Sequence, residues 1–258
     1  MNPNIEQILN AYSPISLNAL NEKAEMLARI DNKYIVKDQE LEPVLAALAN
    51  DFDILEIDGK HDFEYCSRYF DDVDCRGYYD HHQKRRKRCK VRVREYIDAG
   101  IYFLEVKLNE QRSMTSKRRL QIDKPVTSPD DDFMSFVDSC YVDCYHEHFQ
   151  KRLMPVIDIK YHRITLVAKN GGERLTLDTG ICFCTSETQC TTPDNMFIIE
   201  TKSARGNGIA DKILRAIHIK PTKRVSKFSL GMVATGQVGK HNGFLPALRK
   251  LELAQFAQ

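Results

Sequence analysis

Cys89-Lys90-Val91-Arg92-Val93-Arg94-Glu95-Tyr96 places a cation at every second position. In a β-strand, residues two apart share a face, so Lys90, Arg92 and Arg94 line one side while Val91 and Val93 take the other. Tyr102-Phe103-Leu104-Glu105-Val106-Lys107-Leu108 repeats the design, with Glu105 and Lys107 opposite Leu104, Val106 and Leu108. Ala99-Gly100 between the runs is a turn signal, and the alternation predicts a hairpin with one strongly charged face. On one strand pair, water alone would account for such a face. The pattern, however, returns along most of the chain.

Working toward the N-terminus, Phe63 to Phe70 reads as a strand, and Arg29, Asp31 and Lys33 alternate with Ile30, Tyr34 and Val36 over residues 27–37. Leu41, Val44, Leu45 and Leu48 give a helix stripe over about residues 40–50, where Pro43 is tolerable only near the first turn. Residues 4–27 read as one or two short helices interrupted at Ser13-Pro14. Toward the C-terminus, Arg112 to Arg119 is a second cationic stretch. Ser128-Pro129-Asp130-Asp131 predicts a helix start capped at Ser128, with Phe133, Phe136, Val137, Cys140, Tyr141 and Cys144 as its stripe and Pro155 as its end. Four strands are then expected. Ile159, Tyr161, Arg163 and Thr165 share a face; Arg174, Thr176 and Asp178 share another; Glu200 and Lys202 lie opposite Ile199; and Lys227, Ser229 and Gly231 alternate with Phe228, Leu230 and Met232. Helices over about 209–218 and 244–255 complete the reading. No low-complexity linker divides the 258 residues, which predicts one domain with an N-terminal helical segment (1–27), a main body (28–235) and a C-terminal helix (244–258).

Global charge excludes little, because Lys+Arg 38 against Asp+Glu 36 leaves a net charge of +2. Locally, residues 84–94 hold eight cations, and segment 84–88 reads as a solvated loop able to attract polyanions. A nucleic-acid module would add aromatic stacking or a recognition helix to such cations, so no specific nucleic-acid partner is expected. No secretory signal and no apolar run of membrane-spanning length is read, which points to a cytoplasmic chain with reduced thiols among its 8 cysteines. Cys140, Cys144 and His148 fall four apart on the expected helix; buried cysteines on a core stripe are the commoner cause of such spacing.

About eight strands thus carry Arg, Lys and Glu on one face and aliphatics on the other. The fold class that follows is α+β: closing such a sheet into a barrel puts the charged face inside, with the helices flanking it, and an eight-stranded interior can hold a small ligand. Buried unpaired charge is costly, so an interior of cations calls for polyanionic content, and phosphate chains suit arginine and lysine donors. The few interior acids, chiefly Glu200 and Glu105, could hold a divalent metal bridging phosphate oxygens.

Asp31-Asn32-Lys33-Tyr34-Ile35-Val36, Tyr69-Phe70-Asp71, Lys90-Val91-Arg92-Val93-Arg94, Leu104-Glu105-Val106-Lys107, Lys117-Arg118-Arg119, Tyr161-His162-Arg163, Arg174-Leu175-Thr176-Leu177-Asp178, Ile199-Glu200-Thr201-Lys202 and Ser226-Lys227-Phe228 follow one another from about residue 16 to 235. In this order they resemble VTC domains, the catalytic domains of vacuolar transporter chaperone polyphosphate polymerases within the triphosphate tunnel metalloenzyme (CYTH-like) superfamily. The resemblance implies that the barrel is an eight-stranded antiparallel β-barrel tunnel with a charged interior, the triphosphate tunnel fold, which binds ATP and a growing inorganic polyphosphate chain. It makes Lys33, Arg92, Arg94, Lys107, Lys117, Arg163, Arg174 and Lys227 phosphate ligands and catalytic residues, with Glu200 as ligand for Mn²⁺ or Mg²⁺. One branch of the superfamily, its hydrolases, carries Glu-x-Glu-x-Lys on the first strand, where this chain has Arg29-Ile30-Asp31-Asn32-Lys33. Losing those glutamates removes metal ligands that help activate water, which favours polymerase over hydrolase. Triphosphatase activity and a non-catalytic polyphosphate or nucleotide-binding module remain the alternatives. Related eukaryotic assemblies add a phosphate-sensing SPX domain and transmembrane helices; neither is read here, so coupling to a membrane would require a separate membrane-protein partner.

Overall fold

The computed structural model describes residues 3–23, 30–110 and 115–256. The N-terminal segment forms α1 (Pro3–Asn10), a short β1 (Ser13–Ile15) and α2 (Leu17–Lys23). Next come β2 (Ile30–Lys37), α3 (Asp38–Leu48), β3 (Phe52–Leu55), β4 (Asp62–Asp71), α4 (Arg76–His82), β5 (Cys89–Tyr96), β6 (Ile101–Asn109), β7 (Thr115–Ile122) and α5 (Asp131–Tyr145). The remainder is β8 (Met154–Ala168), β9 (Arg174–Cys184), β10 (Gln189–Thr191), β11 (Met196–Ser203), α6 (Ile209–Ala216), α7 (Lys227–Ala234) and α8 (Leu245–Lys250).

Eight strands form one continuous antiparallel path, in the order β2-β11-β9-β8-β4-β5-β6-β7. Among the described residues no ladder joins the two edges, β2 and β7. The sheet nevertheless curls on itself, because Lys107 of β6 lies within electrostatic reach of Lys33 and Asp31 on β2. Curling gives the sheet an outer and an inner face. The outer aliphatics make two separate cores. Tyr34, Val36, Leu166, Leu175, Leu177, Phe197 and Ile199 meet the stripes of α1, α3 and α6, while Val91, Val93, Leu104, Val106 and Leu108 meet α5.

The inner face is divided along its length. At the end reached by β4's C-terminus, Ile35, Ile198, Ile181, Phe183, Ile157 and Ile159 are apolar, and α7 packs against them. From Phe228 to Ala234 every residue of α7 is buried. Gly231 permits the close approach, since a Cβ there would fall 2.6 Å from Phe183 Cδ1 and 2.7 Å from Ile157 Cδ1. Elsewhere the inner face is charged.

Several expectations need correction. Residues 227–232 are the helix α7, not a strand. Ser226 caps it by accepting from the Ser229 amide, and burial on every side erases the periodicity that would have distinguished the two. The strand path reaches eight through β7 instead. The α5 cap is Asp130, whose Oδ1 accepts from the Phe133 amide at 2.9 Å, rather than Ser128. That helix ends at Tyr145 with His146 left-handed (φ 57°), well before Pro155. His148 therefore lies off the helix and contacts Asp138 at 2.9 Å, while Cys140 is buried in the α5 core. Because α3 begins at Asp38, Pro43 falls in its second turn rather than its first, and the buried Leu41, Val44, Leu45 and Leu48 hold the helix despite it. At the C-terminus, α8 ends at Lys250, followed by a single 3₁₀ turn at Ala254–Phe256. Arg29 and Arg112 fall outside the described residues.

Candidate functional site

Strand register brings the predicted residues together on the inner face. Arg92 pairs in register with Tyr69 on one side and Glu105 on the other; Lys107 lies between Lys90 and Lys117; Glu200 lies between Lys33 and Thr176; and Arg163 is opposite Asp178. Among the described residues that face carries eleven strand cations, Lys37 at the strand end with its own partner Glu252, against four carboxylates (Asp31, Glu105, Asp178 and Glu200). Lys227 adds a further cation from the first turn of α7. Cations predominate.

Three of the carboxylates organise the cations into groups. Glu105, 2 % exposed, accepts from Arg92 at 2.6 Å and pairs with Lys117, while Arg92 also donates to the Tyr69 hydroxyl at 2.6 Å. Asp178 is completely buried and takes Arg163 in a two-pronged contact (2.6 and 2.8 Å) together with Lys227. Glu200 meets Lys33 at 2.9 Å and Lys202 at 3.4 Å. Arg94 donates to Ser67 Oγ at 3.3 Å, and Arg174 lies beside Lys202 in register. Lys107 and Lys117 lie deep among other inner-face charges, enclosed by protein on several sides, yet keep access to solvent, so the space they meet is a lumen inside the curled sheet.

The titratable groups report one field. Burial would raise the carboxyls of Glu105, Asp178 and Glu200, but neighbouring arginines and lysines outweigh it and hold all three below the ordinary carboxylate range. Burial and surrounding cations push Lys107 down, and Lys90 well down. Lys117 and Lys202 fall to about 7, burial and the other cations outweighing Glu105 and Glu200 respectively. His81, which faces Lys90, Arg88, Lys107 and Arg224 from α4, is pushed by burial and those charges to about 2. Burial would raise the Tyr161 phenol, yet Arg163, Arg94 and Lys227 bring it below its usual value. The lumen is strongly positive. Its Tyr161 and Thr176 hydroxyls are buried without a hydrogen-bond partner among the described residues, so they are further groups able to meet an anion.

Residues 28–235 match the family model of the VTC domain. The chain belongs to the VTC domain family. Its fold is that of a solved structure from Hippeastrum, a candidate adenylyl cyclase described as revealing a dominant triphosphatase activity. Identity is 14 %, the TM-score is 0.52, and the match covers 79 % of this chain and 94 % of that one. A candidate adenylate cyclase from Vibrio parahaemolyticus is similar at 12 % identity and TM-score 0.44, over 79 % of this chain and 97 % of that one. No curated protein matches the chain. The curled, cation-lined sheet is the tunnel of the triphosphate tunnel fold, and a function tied to triphosphates or polyphosphate follows.

Within the VTC tunnel, Lys33, Arg92, Arg94, Lys107, Lys117, Arg163 and Arg174 lie on strands of one inner face, and Lys227 reaches that face from α7. Asp178, Lys202, Tyr69 and Tyr161 join them without having been singled out. Alternation puts Asp178 on the face of Arg174, but only the β8–β9 register and the placement of α7 make it the shared partner of Arg163 and Lys227. Lys90 was legible as a member of the charged face; its bond to Ser226 Oγ (2.9 Å) ties β5 to the start of α7. No helix of the described residues is long and apolar enough to cross a membrane.

Proposed function

We propose that this VTC domain transfers the γ-phosphate of ATP to a growing inorganic polyphosphate chain. The observation that carries the reading is the excess of lumen cations over carboxylates. Phosphoryl transfer asks little covalent chemistry of the protein, so positioned cations that neutralise developing charge on the phosphate oxygens suffice. Lys33, Arg92, Arg94, Lys107, Lys117, Arg163, Arg174 and Lys227 would grip phosphate oxygens. Arg163 and Lys227 are fixed by Asp178, which keeps the guanidinium plane and the ammonium in place before substrate arrives.

The donor set also bears on the metal. Among the described residues no three His, Cys, Asp or Glu side chains form a metal-binding group. Mg²⁺ and Mn²⁺ are commonly held by one or two carboxylates, with substrate phosphates and water completing the shell; Glu200 is ion-paired with Lys33 and Lys202, but its side chain keeps 14 % exposure and the Lys202 contact is long at 3.4 Å, so it fits that minimal role better than Glu105 does. Glu105 fits poorly, its two oxygens being engaged by Arg92 and Lys117 in a fully buried position. When bound, such an ion would supply positive charge to neutralise the substrate phosphates. Asp31 stands where the hydrolase pattern places its second glutamate, and this poverty of acids supports transfer over hydrolysis. Incubating the protein with ATP and Mn²⁺ and separating the products tests the reading. Long polyphosphate chains support it; free phosphate alone favours a triphosphatase; turnover of neither kind favours a binding module.

A pH dependence follows. At pH 8 the ligand-free Lys117 and Lys202, with values near 7, are mainly neutral. A bound polyanion restores their charge, so triphosphate binding should take up protons and weaken as pH rises from about 7 to 9. Calorimetric titrations in two buffers of different ionisation heat measure that uptake directly.

A further inference from the structure

On the outer face of the sheet, behind Lys33 and Glu200, stands a carboxylate that the phosphate chemistry does not use. Asp211, in the first turn of α6, is 1 % exposed. Its Oδ1 accepts from three side chains: the Tyr34 hydroxyl at 2.6 Å, the Thr201 hydroxyl at 2.7 Å and Asn32 Nδ2 at 3.0 Å. Its Oδ2 accepts from the Gly208 amide at 3.1 Å. Capping α6 would need the last of these bonds alone. The other three reach across two strands, and they supply the bonds without which a buried charge is costly. Asn32 and Tyr34 flank Lys33 on β2, while Thr201 separates Glu200 from Lys202 on β11. In register, Thr201 is opposite Asn32 and Glu200 is opposite Lys33. One oxygen therefore fixes, from behind, the pleat from which Lys33 and Glu200 project into the lumen. The start of α6 is held independently, since Glu173 accepts from the Ile209 and Ala210 amides at 2.6 and 3.0 Å.

We propose that Asp211 is a positioning residue, which sets where Lys33 stands relative to Glu200. The proposal rests on the phosphate-binding reading above and adds to it a group outside the lumen. Strand β11 is laddered on both sides, to β9 and to β2, whereas among the described residues β2 is laddered only to β11. An edge strand has freedom that an inner strand lacks, so β2 is the one that needs an anchor. The turn into α6 adds to that anchor. Gly206 (φ 64°) lies so close to β2 that a Cβ there would fall 2.7 Å from Ile30 Cγ2, and its carbonyl accepts from Asn32 Nδ2 at 3.0 Å. Beyond α6, the Thr222 amide donates to the Lys33 carbonyl at 2.7 Å. Residues 206–222 thus strap β2 at Lys33, and Asp211 is the centre of the strap. Without its carboxylate, Asn32, Tyr34 and Thr201 lose their common acceptor, and Lys33 meets phosphate from a looser strand.

Asp211→Asn keeps the size but must turn its NH₂ group toward donors, either the Gly208 amide or the three side chains. Inorganic triphosphate is titrated calorimetrically, well below the melting temperature, into the full chain, Asp211→Asn, Lys33→Met and the double variant. Asp211→Asn is expected to weaken binding about fivefold, and Lys33→Met about tenfold or more. In the Lys33→Met background the Asp211 change should cost less than about twofold, because it acts through that lysine. Val137→Ala, in the α5 core, controls for lost stability and should bind within about twofold of the parent. Tyr34→Phe removes one donor and keeps the ring, and it carries the test if Asp211→Asn does not fold. A smaller loss is expected from it, again vanishing without Lys33. Additive losses, unchanged affinity in either single variant, or an equal loss in Val137→Ala overturn the positioning role and leave the phosphate reading intact. Failure of the unaltered chain to bind triphosphate overturns both.

Discussion

Replacing Asp178 with asparagine should lower the unfolding free energy by about 3–5 kcal/mol, the usual cost of removing one partner from a buried ion group. Asparagine keeps the shape, but Arg163 and Lys227 are left with no carboxylate between them in a fully buried position. Arg163 and Lys227 hold the Asp178 carboxyl below its ordinary value against the effect of burial, so its contribution is complete above the unfolded carboxylate range. It is lost only as pH falls through the depressed folded value. Urea midpoints at pH 6 and pH 8 should therefore show the same deficit. Inorganic triphosphate should restore more stability to the variant than to the parent, because it supplies the missing negative charge. A deficit below about 1 kcal/mol would mean that Asp178 is not the counter-ion its geometry makes it.

The second large effect concerns Glu200. Glu200→Gln removes the carboxylate next to Lys33 and Lys202 without changing its size. Triphosphate binding should survive and even tighten, since the two lysines lose their internal competitor. Turnover with ATP should fall about 100- to 1,000-fold, the scale seen when one electrostatic contact to a transition state is deleted. Excess Mn²⁺ should not restore it. Turnover within about tenfold of the parent would remove Glu200 from the chemistry. Because affinity and turnover are expected to move in opposite directions, simple unfolding cannot imitate the result.

Much of this architecture could be read from local pattern. Period-two alternation needs only neighbouring residues, so the charged faces at 90–94, 103–107, 161–165, 174–178 and 200–202 were legible, as was the curled sheet they imply. Burial on all sides carries no period, which is why α7 read as a strand: Phe228, Leu230 and Met232 are buried, and so are Ser229 and Gly231 between them. Strands β1, β3 and β10, at three or four residues, are too short for alternation to register. The α4 helix was missed for another reason. Its start is secured by Asp71, a residue at the end of β4 whose carboxylate accepts from the Gly77 and Tyr78 amides at 2.8 and 2.9 Å. The candidate site divides in the same way. Which residues face the lumen is a matter of parity, whereas which carboxylate holds which cation depends on register and on where α7 enters.

The claim that the charged inner face is a phosphate-binding lumen is tested most directly by calorimetric titration of inorganic triphosphate into the chain and into Arg92→Ala, with melting curves beside it. Arg92 sits between Tyr69 and Glu105 with its guanidinium among the lumen charges. The account predicts binding by the parent and a loss of about 1.5–3 kcal/mol of binding free energy in the variant, the worth of a charged hydrogen bond. Unchanged triphosphate affinity in a folded Arg92→Ala variant, whatever its melting temperature, would contradict it.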